Sequence, residues 1–522
     1  MAGFGFGSAR GRRARSSGNS NGPGVGPGTG PTLSQTIGAL TRNQFGGGVP
    51  VGASAITSGD AGGHWTISAG RLFPSAAGDA ADLNAGPYVL ALDDGSTINI
   101  VVEPNTWDVT DQSEWDFIAR QSPATLAGKK IGLRNTSTLA LGITGGFGTP
   151  FRRVDLRDGG GSPLVIEGRF GAAGAFADYC EIDRVQFMRG ARGITFRHLK
   201  TDATANAKFT LVGEGANHTE DITIDDCWVR GETGDPNGDY STSSNYPNLN
   251  RDLINTTGSA LGSVGNITVT NCKVEWGDSL VNIRVDKLGA QSIITGNECA
   301  YFYGDAIAVT MAPANPLPVT ISDNFIHDTV GLATDSANPH VDAIRLQGST
   351  TALADWAGIT IERNIIVQGT ARGDMQAIFL DDMRTGAGDS GHFFTAAIRN
   401  NIVAIDFSVH GITVIQAKDC VVESNTVISW DQGSSNAPSI LVAGSGLTTA
   451  TSGGGNVIRN CIADNIGDSV GTLTLTSNFT TGLNGASIAY STLFDGPTFA
   501  PTTEAEAKAF FNPKVAAGAL IP

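Results

Sequence analysis

From about residue 155 onward, short runs of alternating β-branched and polar residues recur. Each is closed by one or two polar residues and an Asn or Asp, and a second apolar stretch follows. The clearest cases are ITIDDCWV (222–229), ITVTNCKV (267–274), SIITGNECA (292–300), VTISDNFI (319–326), ITIERNII (359–366), AIRNNIVA (397–404), VVESNTVI (421–428) and NVIRNCIA (456–463). A period of two predicts strands. The closing residues Asp226, Asn271, Asn297, Asn324, Asn364, Asn401, Asn425 and Asn460 are separated by 45, 26, 27, 40, 37, 24 and 35 residues. The short gaps match one coil of a solenoid, and the longer ones imply loops inserted into coils or, for the longest, a second full coil. One coil cannot bury its own apolar face, but a stack can. The pattern therefore predicts an all-β chain whose residues 155–495 form a right-handed parallel β-helix, with parallel strands on three faces and these asparagines along one edge. Asn tolerates left-handed backbone, and its amide can bond the Asn of the next coil, so the ladder has a structural role.

The segments before the repeats differ. Residues 1–45 are rich in Gly, Pro and Ser and carry an Arg knot, which predicts a tether. Residues 46–105 alternate in short runs (HWTIS, GRLFP, PYVLALDDG, STINIVVEP) and predict a small β module with a hairpin turn at Asp93–Gly95. Residues 106–154 predict a helix-containing cap followed by the first strands. Thr110 or Asp111 can cap the helix, Glu114 stands at capping-box distance from Asp111, and Trp115, Ile118 and Ala119 form its apolar stripe. Residues 496–522 are read as a C-terminal tail.

Charge separates the ends of the chain. Arg10, Arg12, Arg13, Arg15 and Arg42 are the only charged side chains before Asp60, so a +5 leader precedes a body of −21 within a net −16. An acidic body repels phosphate backbones, which argues against nucleic acid as a partner. No apolar run is long enough to span a membrane. A Gly/Ser/Pro tract stands where the apolar core of a signal peptide belongs, so no signal peptide is expected. The cysteines Cys180, Cys227, Cys272, Cys299, Cys420 and Cys461 form no CxxC pair. They read as small buried apolar residues. No metal site and no cofactor is expected.

A second register follows the asparagines. GDSLVNI, GDAIAV, VDAIRL, MQAIFL and VHGITV align Asp278, Asp305, Asp342, Gln376 and His410 in one column. Neighbouring strands lie about 4.8 Å apart, so stacked carboxylates would share a proton, bind a cation or pair with a base, unless each simply caps a turn. Four of the seven histidines fall between 327 and 410, among Asp342, Arg345, Asp374, Asp381, Asp382, Arg384 and Asp389, with long loops on either side. Arg beside carboxylates suits polysaccharide recognition, and paired acids suit hydrolysis. Asp305, Asp342, Arg345, Gln376, Asp381, Asp382 and His410 are therefore the candidate polysaccharide-binding residues, expected to be exposed, and no catalytic residue is assigned. The polar loop 231–252, with Tyr240 and Tyr246, is the alternative site.

The Asn-punctuated coils resemble the pectate-lyase-like superfamily of right-handed parallel β-helices. GGHWTISAGRLFPSAAGDAADLNAGPYVLALDDGS, WDVTDQSEWDFIARQSPATLAGKKIGLR and the opening MAGFGFGSARGRR are similar to leader regions of spike or tailspike proteins of phages and gene-transfer agents. That resemblance implies a homotrimeric spike on the surface of a virion or virus-like particle, binding a host surface polysaccharide. It also implies attachment to a particle baseplate or capsid protein through Arg10, Arg12, Arg13 and Arg15. The alternative is a depolymerase, lyase or glycoside hydrolase, acting on capsule or lipopolysaccharide. The lyase motifs with their Arg and Lys pairs are not matched, so no catalytic residue is carried over.

Overall fold

The computed structural model describes residues 32–38 and most of 49–521. Residues 1–31 and 39–48 lie outside the described residues, as do the loops 75–87, 140–152, 171–178, 202–208, 236–251, 256–263, 286–290, 312–317, 331–340, 349–354, 383–392, 431–436, 444–452, 483–488 and 496–502, and some shorter stretches. The attachment arginines Arg10, Arg12, Arg13 and Arg15 and most of the 231–252 loop, with Tyr240 and Tyr246, are among them.

The alternating runs form a parallel β-helix. Its first sheet has thirteen strands, from Thr106–Val109 to Thr474–Thr476; its second has ten, from Val185–Arg189 to Asn465–Gly467; its third has eleven, from Cys180–Glu181 to Phe479–Thr480. Every strand pairs in parallel with the equivalent strand of the next coil, as Ile222 with Ile267 in the first sheet and Val274 with Cys299 in the third. Inward positions are mostly Ile, Val, Leu, Ala, Phe and Cys and merge into one core along the rod. All six cysteines are buried free thiols, as expected of small apolar fillers.

The corner between first and third sheets explains the asparagines. At each coil one residue adopts a left-handed conformation: His198, Asp226, Asn271, Gly296, Asp323, Arg363, Asn400, Ser424, Asn460 and Ser477, with φ between 48° and 67°. The following residue points inward. Asn297, Asn324, Asn364, Asn401 and Asn425 stack there, each amide donating to the next Oδ1 at 2.8–3.0 Å. Asp226, Asn271 and Asn460, predicted to belong to this ladder, instead occupy the left-handed column one residue earlier. Cys227, Cys272 and Cys461 take the inward place beside them. Asn and Asp suit both columns, one through tolerance of positive φ and the other through amide bonding, so a pattern of letters merges them.

The N-terminal module contains two small sheets. Tyr88–Leu92 and Thr97–Glu103 form the expected hairpin, with Gly95 at φ 83°. Thr32–Gly38, assigned to the tether by composition, is a strand parallel to Thr97–Glu103. Trp65, Leu72, Leu90, Ile98 and Ile100 form a separate core. The cap helix is Gln112–Ala119: the Asp111 carboxylate accepts from the Ser113 and Glu114 N–H groups, while Glu114 accepts from the N–H of Thr110. Its buried Trp115 and Ile118 join the core of the first coils.

The C-terminal segment is no free tail. Helices Tyr490–Leu493 and Glu504–Phe510 fold back on the outer surface of the third sheet. Phe494, Phe510, Phe511 and Ala519 pack there on Phe325, Ile365, Ile402, Ile428 and Ile462. A buried clasp fixes this cover. The Tyr490 hydroxyl donates to Asp464 at 2.7 and 2.8 Å, and the same carboxylate accepts from the Ser429 N–H at 2.6 Å.

Candidate functional site

The second sheet carries the densest chemistry. Its strands Ile307–Met311, Asp342–Gly348, Gln376–Asp382 and His410–Ile415 pair in succession, with Asp342 opposite Gln376. Extending these registers puts Asp305, Asp342, Gln376 and His410 on successive coils, as predicted. Asp278 lies before the paired stretch, which begins at Val281 opposite Ile307. The pairing is irregular here: the N–H groups of Leu280 and Val281 both donate to the Ala306 carbonyl, at 2.9 and 3.2 Å, and the Gly304 N–H donates to the Asp278 carbonyl at 3.2 Å. A Cβ at Gly304 would stand 2.1 Å from Asp278 Oδ1, so a larger residue there would push that carboxylate aside.

Arg345 joins the acids of three coils. Its guanidinium lies 3.6 Å from Asp305, 3.7 Å from Asp342 and 3.4 Å from Asp381. Asp305 also accepts from the Asp342 N–H at 3.0 Å. Asp342 was expected at the surface, but it is 1% exposed, and its Oδ1 has no hydrogen-bond partner. The reason is position. It begins its strand at the corner of the coil, beneath Arg345, rather than on the outer face. Arg345 and Asp381 keep side-chain exposures of 22% and 16%. In the outer column, Arg345 is followed by the half-buried ring of Phe379 and then by Thr413. His410 meets Phe379 edge-on at 5.4 Å and bonds the Thr413 hydroxyl at 3.0 Å. The side chain of Asp382 and the residues Arg384 and Asp389 lie outside the described residues.

Burial dominates the protonation of this corner. It pushes Asp278 up to about 7, with the charges of Asp252 and Asp305 adding to the effect. It pushes Asp252 up to about 6 against hydrogen bonds from Asn255 and Ser279. Asp342 is also raised by burial, then by Asp305, against the attraction of Arg345. Burial works against the Arg345 charge, but Asp381, Asp305 and Asp342 outweigh it and hold the guanidinium protonated. The corner is thus a line of proton-holding acids ending on a fixed cation.

No family model and no curated protein matches the sequence. The residues themselves therefore carry the functional argument. Among the described residues, no group of three His, Cys, Asp or Glu side chains is placed to hold a metal ion, and no helix is long and apolar enough to cross a membrane.

A second polar cluster, which the linear pattern did not isolate, lies outside the third sheet. His327 Nδ1 is 2.6 Å from Asp328 and its Nε2 is 3.4 Å from Glu298. Lys273 bridges Glu298 and Glu275, at 2.9 Å to each, and lies 4.9 Å over the Trp228 ring. The residues come from four coils, so only the register brings them together. The signal available in the sequence was the shared position just after each inward Asn or Cys, held by Trp228, Lys273, Glu298 and Phe325.

Proposed function

We propose that this protein is a trimeric spike on a virion or virus-like particle, which recognises a host surface polysaccharide along the outer face of its second sheet. The supporting observation is Arg345, held among Asp305, Asp342 and Asp381 from successive coils and beside the Phe379 ring. A fixed cation, carboxylates able to accept from sugar hydroxyls and an aromatic surface for the C–H face of a ring are the components of a saccharide site. They run along the rod axis, as a linear polymer does. The +5 leader suits an acidic site on a baseplate or capsid protein.

The test is titration calorimetry with purified host surface polysaccharide. Phe379→Ala and Arg345→Gln are expected to weaken binding tenfold or more, and absence of binding by the parent protein overturns the reading. Deleting residues 1–31 should leave a folded rod that no longer enters particles; undiminished incorporation refutes the anchor. Sedimentation should give three times the 53.9 kDa chain mass.

A second reading, depolymerase activity by hydrolysis, draws on the raised acids. Hydrolysis needs one carboxyl that holds a proton near neutral pH and another that acts as base or nucleophile. Asp278 and Asp342 supply the first kind. Asp305 and Asp381, beside Arg345, are the residues available for the second. New reducing ends on incubation with the polysaccharide, lost in Asp278→Asn with binding retained, would establish it. Absorbance of an unsaturated uronate would indicate elimination instead.

A further inference from the structure

The outer surface of the third sheet changes character along the rod. One column runs Lys200, Trp228, Lys273, Glu298, Phe325, Ile365 and Ile402 on successive coils. From Phe325 onward these side chains are apolar and lie beneath the C-terminal cover. Before Phe325 they are polar or aromatic and, among the described residues, take no part in the apolar cluster of the cover. At the border is a cavity of about 430 Å³, lined by Gly296, Asn297, Glu298, Asp323 and Phe325 of the rod and by Thr503 and Glu504 of the cover.

We propose that this border cavity and the open stretch up to Trp228 form a second saccharide subsite, which takes uncharged sugar rings. It rests on the reading of the rod as a glycan binder but uses a different face from Arg345. Three observations carry it. First, the cavity lies within the size range of small-molecule sites and joins one apolar wall, Phe325, to three carboxylates, Glu298, Asp323 and Glu504. Carboxylates accept from sugar hydroxyls and repel a uronate. Second, the cations paired to those acids are already engaged. Lys273 faces two glutamates, Arg363 holds Asp323 at 2.7 and 2.8 Å, and Lys508 lies 3.2 Å from Glu504. The charge pattern thus favours an uncharged ligand over an acidic one. Third, Trp228 stands three coils from Phe325 in the same column, about 14 Å along the rod. Half-buried, with the edge of Tyr179 beside it at 6.2 Å, it marks the far end of a stretch about one trisaccharide long.

The experiment is saturation-transfer NMR on the full chain with maltotriose, cellotriose and mannotriose, and with trigalacturonate as the charged control. At least one neutral trisaccharide should receive signal. That signal should fall at least fivefold in Glu504→Lys, which fills the cavity from an exposed helix position, and in Trp228→Ala. The thermal midpoints should stay at the parent value, and Phe379→Ala should keep the signal. The proposal is overturned if no neutral trisaccharide responds, if the response survives both substitutions, or if trigalacturonate responds equally. Failure of the Arg345 reading is seen separately, as long polysaccharide that does not bind or whose binding ignores Phe379→Ala.

Discussion

The amide of Asn364 donates to Oδ1 of Asn401 at 3.0 Å, and the backbone N–H of Asn364 donates to the same oxygen at 3.0 Å. The amide also reaches the Ile321 carbonyl at 3.0 Å, and Asn364 Oδ1 accepts twice from Asn324. Asn364 is fully buried. Asn364→Ala strands several of these groups and should cost roughly 2–5 kcal/mol in chemical denaturation. Asn364→Cys should cost less, because Cys461 already accepts from Asn425 at the equivalent position. Equal losses for the two variants would show that the ladder acts through volume alone.

Stability should be greater near pH 5 than near pH 8. Asp278 and Asp252, at about 7 and about 6, hold protons more tightly folded than unfolded. The stabilisation this gives is complete below the ordinary carboxylate range and is lost as pH rises through those values. His327, raised by Asp328 and Glu298 against burial, acts in the same direction. Glu103, Asp323 and Glu362 are lowered by their Lys and Arg partners against burial, so their contribution disappears in acid and closes the window from below. Asp278→Asn should flatten the neutral limb, by up to about 4 kcal/mol for a shift of that size. Urea denaturation at a series of pH values measures it.

Arg345→Met leaves Asp305, Asp342 and Asp381 facing one another without their cation. Because the guanidinium is partly exposed, the loss should be about 1–3 kcal/mol, less than for a fully buried pair. Asp342→Asn should be nearly neutral at pH 7, since the carboxyl is already driven toward its protonated form. Thermal unfolding of both variants is the check, and a larger loss from Asp342→Asn would refute this account of the corner.

Tyr490→Phe removes the donor to Asp464 within a buried clasp. The expected cost is about 1–3 kcal/mol. Loss of the cover should precede loss of the rod, so limited proteolysis should cut near residue 490 while most of the chain stays resistant.

None of the six thiols should react quickly with a thiol reagent. All are buried, and burial raises Cys420 and Cys461 to about 11. Rapid labelling of any cysteine before denaturant is added would contradict the packing.

Much of the rod was legible in the sequence because a strand's period and a coil's punctuation are local. The Asp111 cap and the Trp115 and Ile118 stripe were legible for the same reason. What failed was registration. Asp226, Asn271 and Asn460 share their chemistry with the ladder but sit one residue away from it, and the stretch after Asp278 carries a local irregularity at Leu280 and Val281. Burial of Asp342 depends on where the coil turns, which a column of aligned letters does not record. The third-sheet cluster around His327 draws its residues from four coils, and the cover over Ile365 and Ile402 comes from 88 or more residues downstream. Contacts of that separation leave no trace in a periodic pattern.

The cover has a consequence for biosynthesis. Phe325, Ile365, Ile402 and Ile428 face outward, and the residues that shield them, from Tyr490 to Phe494 and from Ala507 to Ala519, are translated after every strand of the rod. A nascent chain emerging from the ribosome can stack its coils as it grows, but it carries a widening apolar stripe until the last segment is free. Ribosome stalling in the final coils, or a nonsense codon there, would therefore release a well-formed rod with a sticky side, prone to lateral clumping or chaperone capture rather than to unfolding.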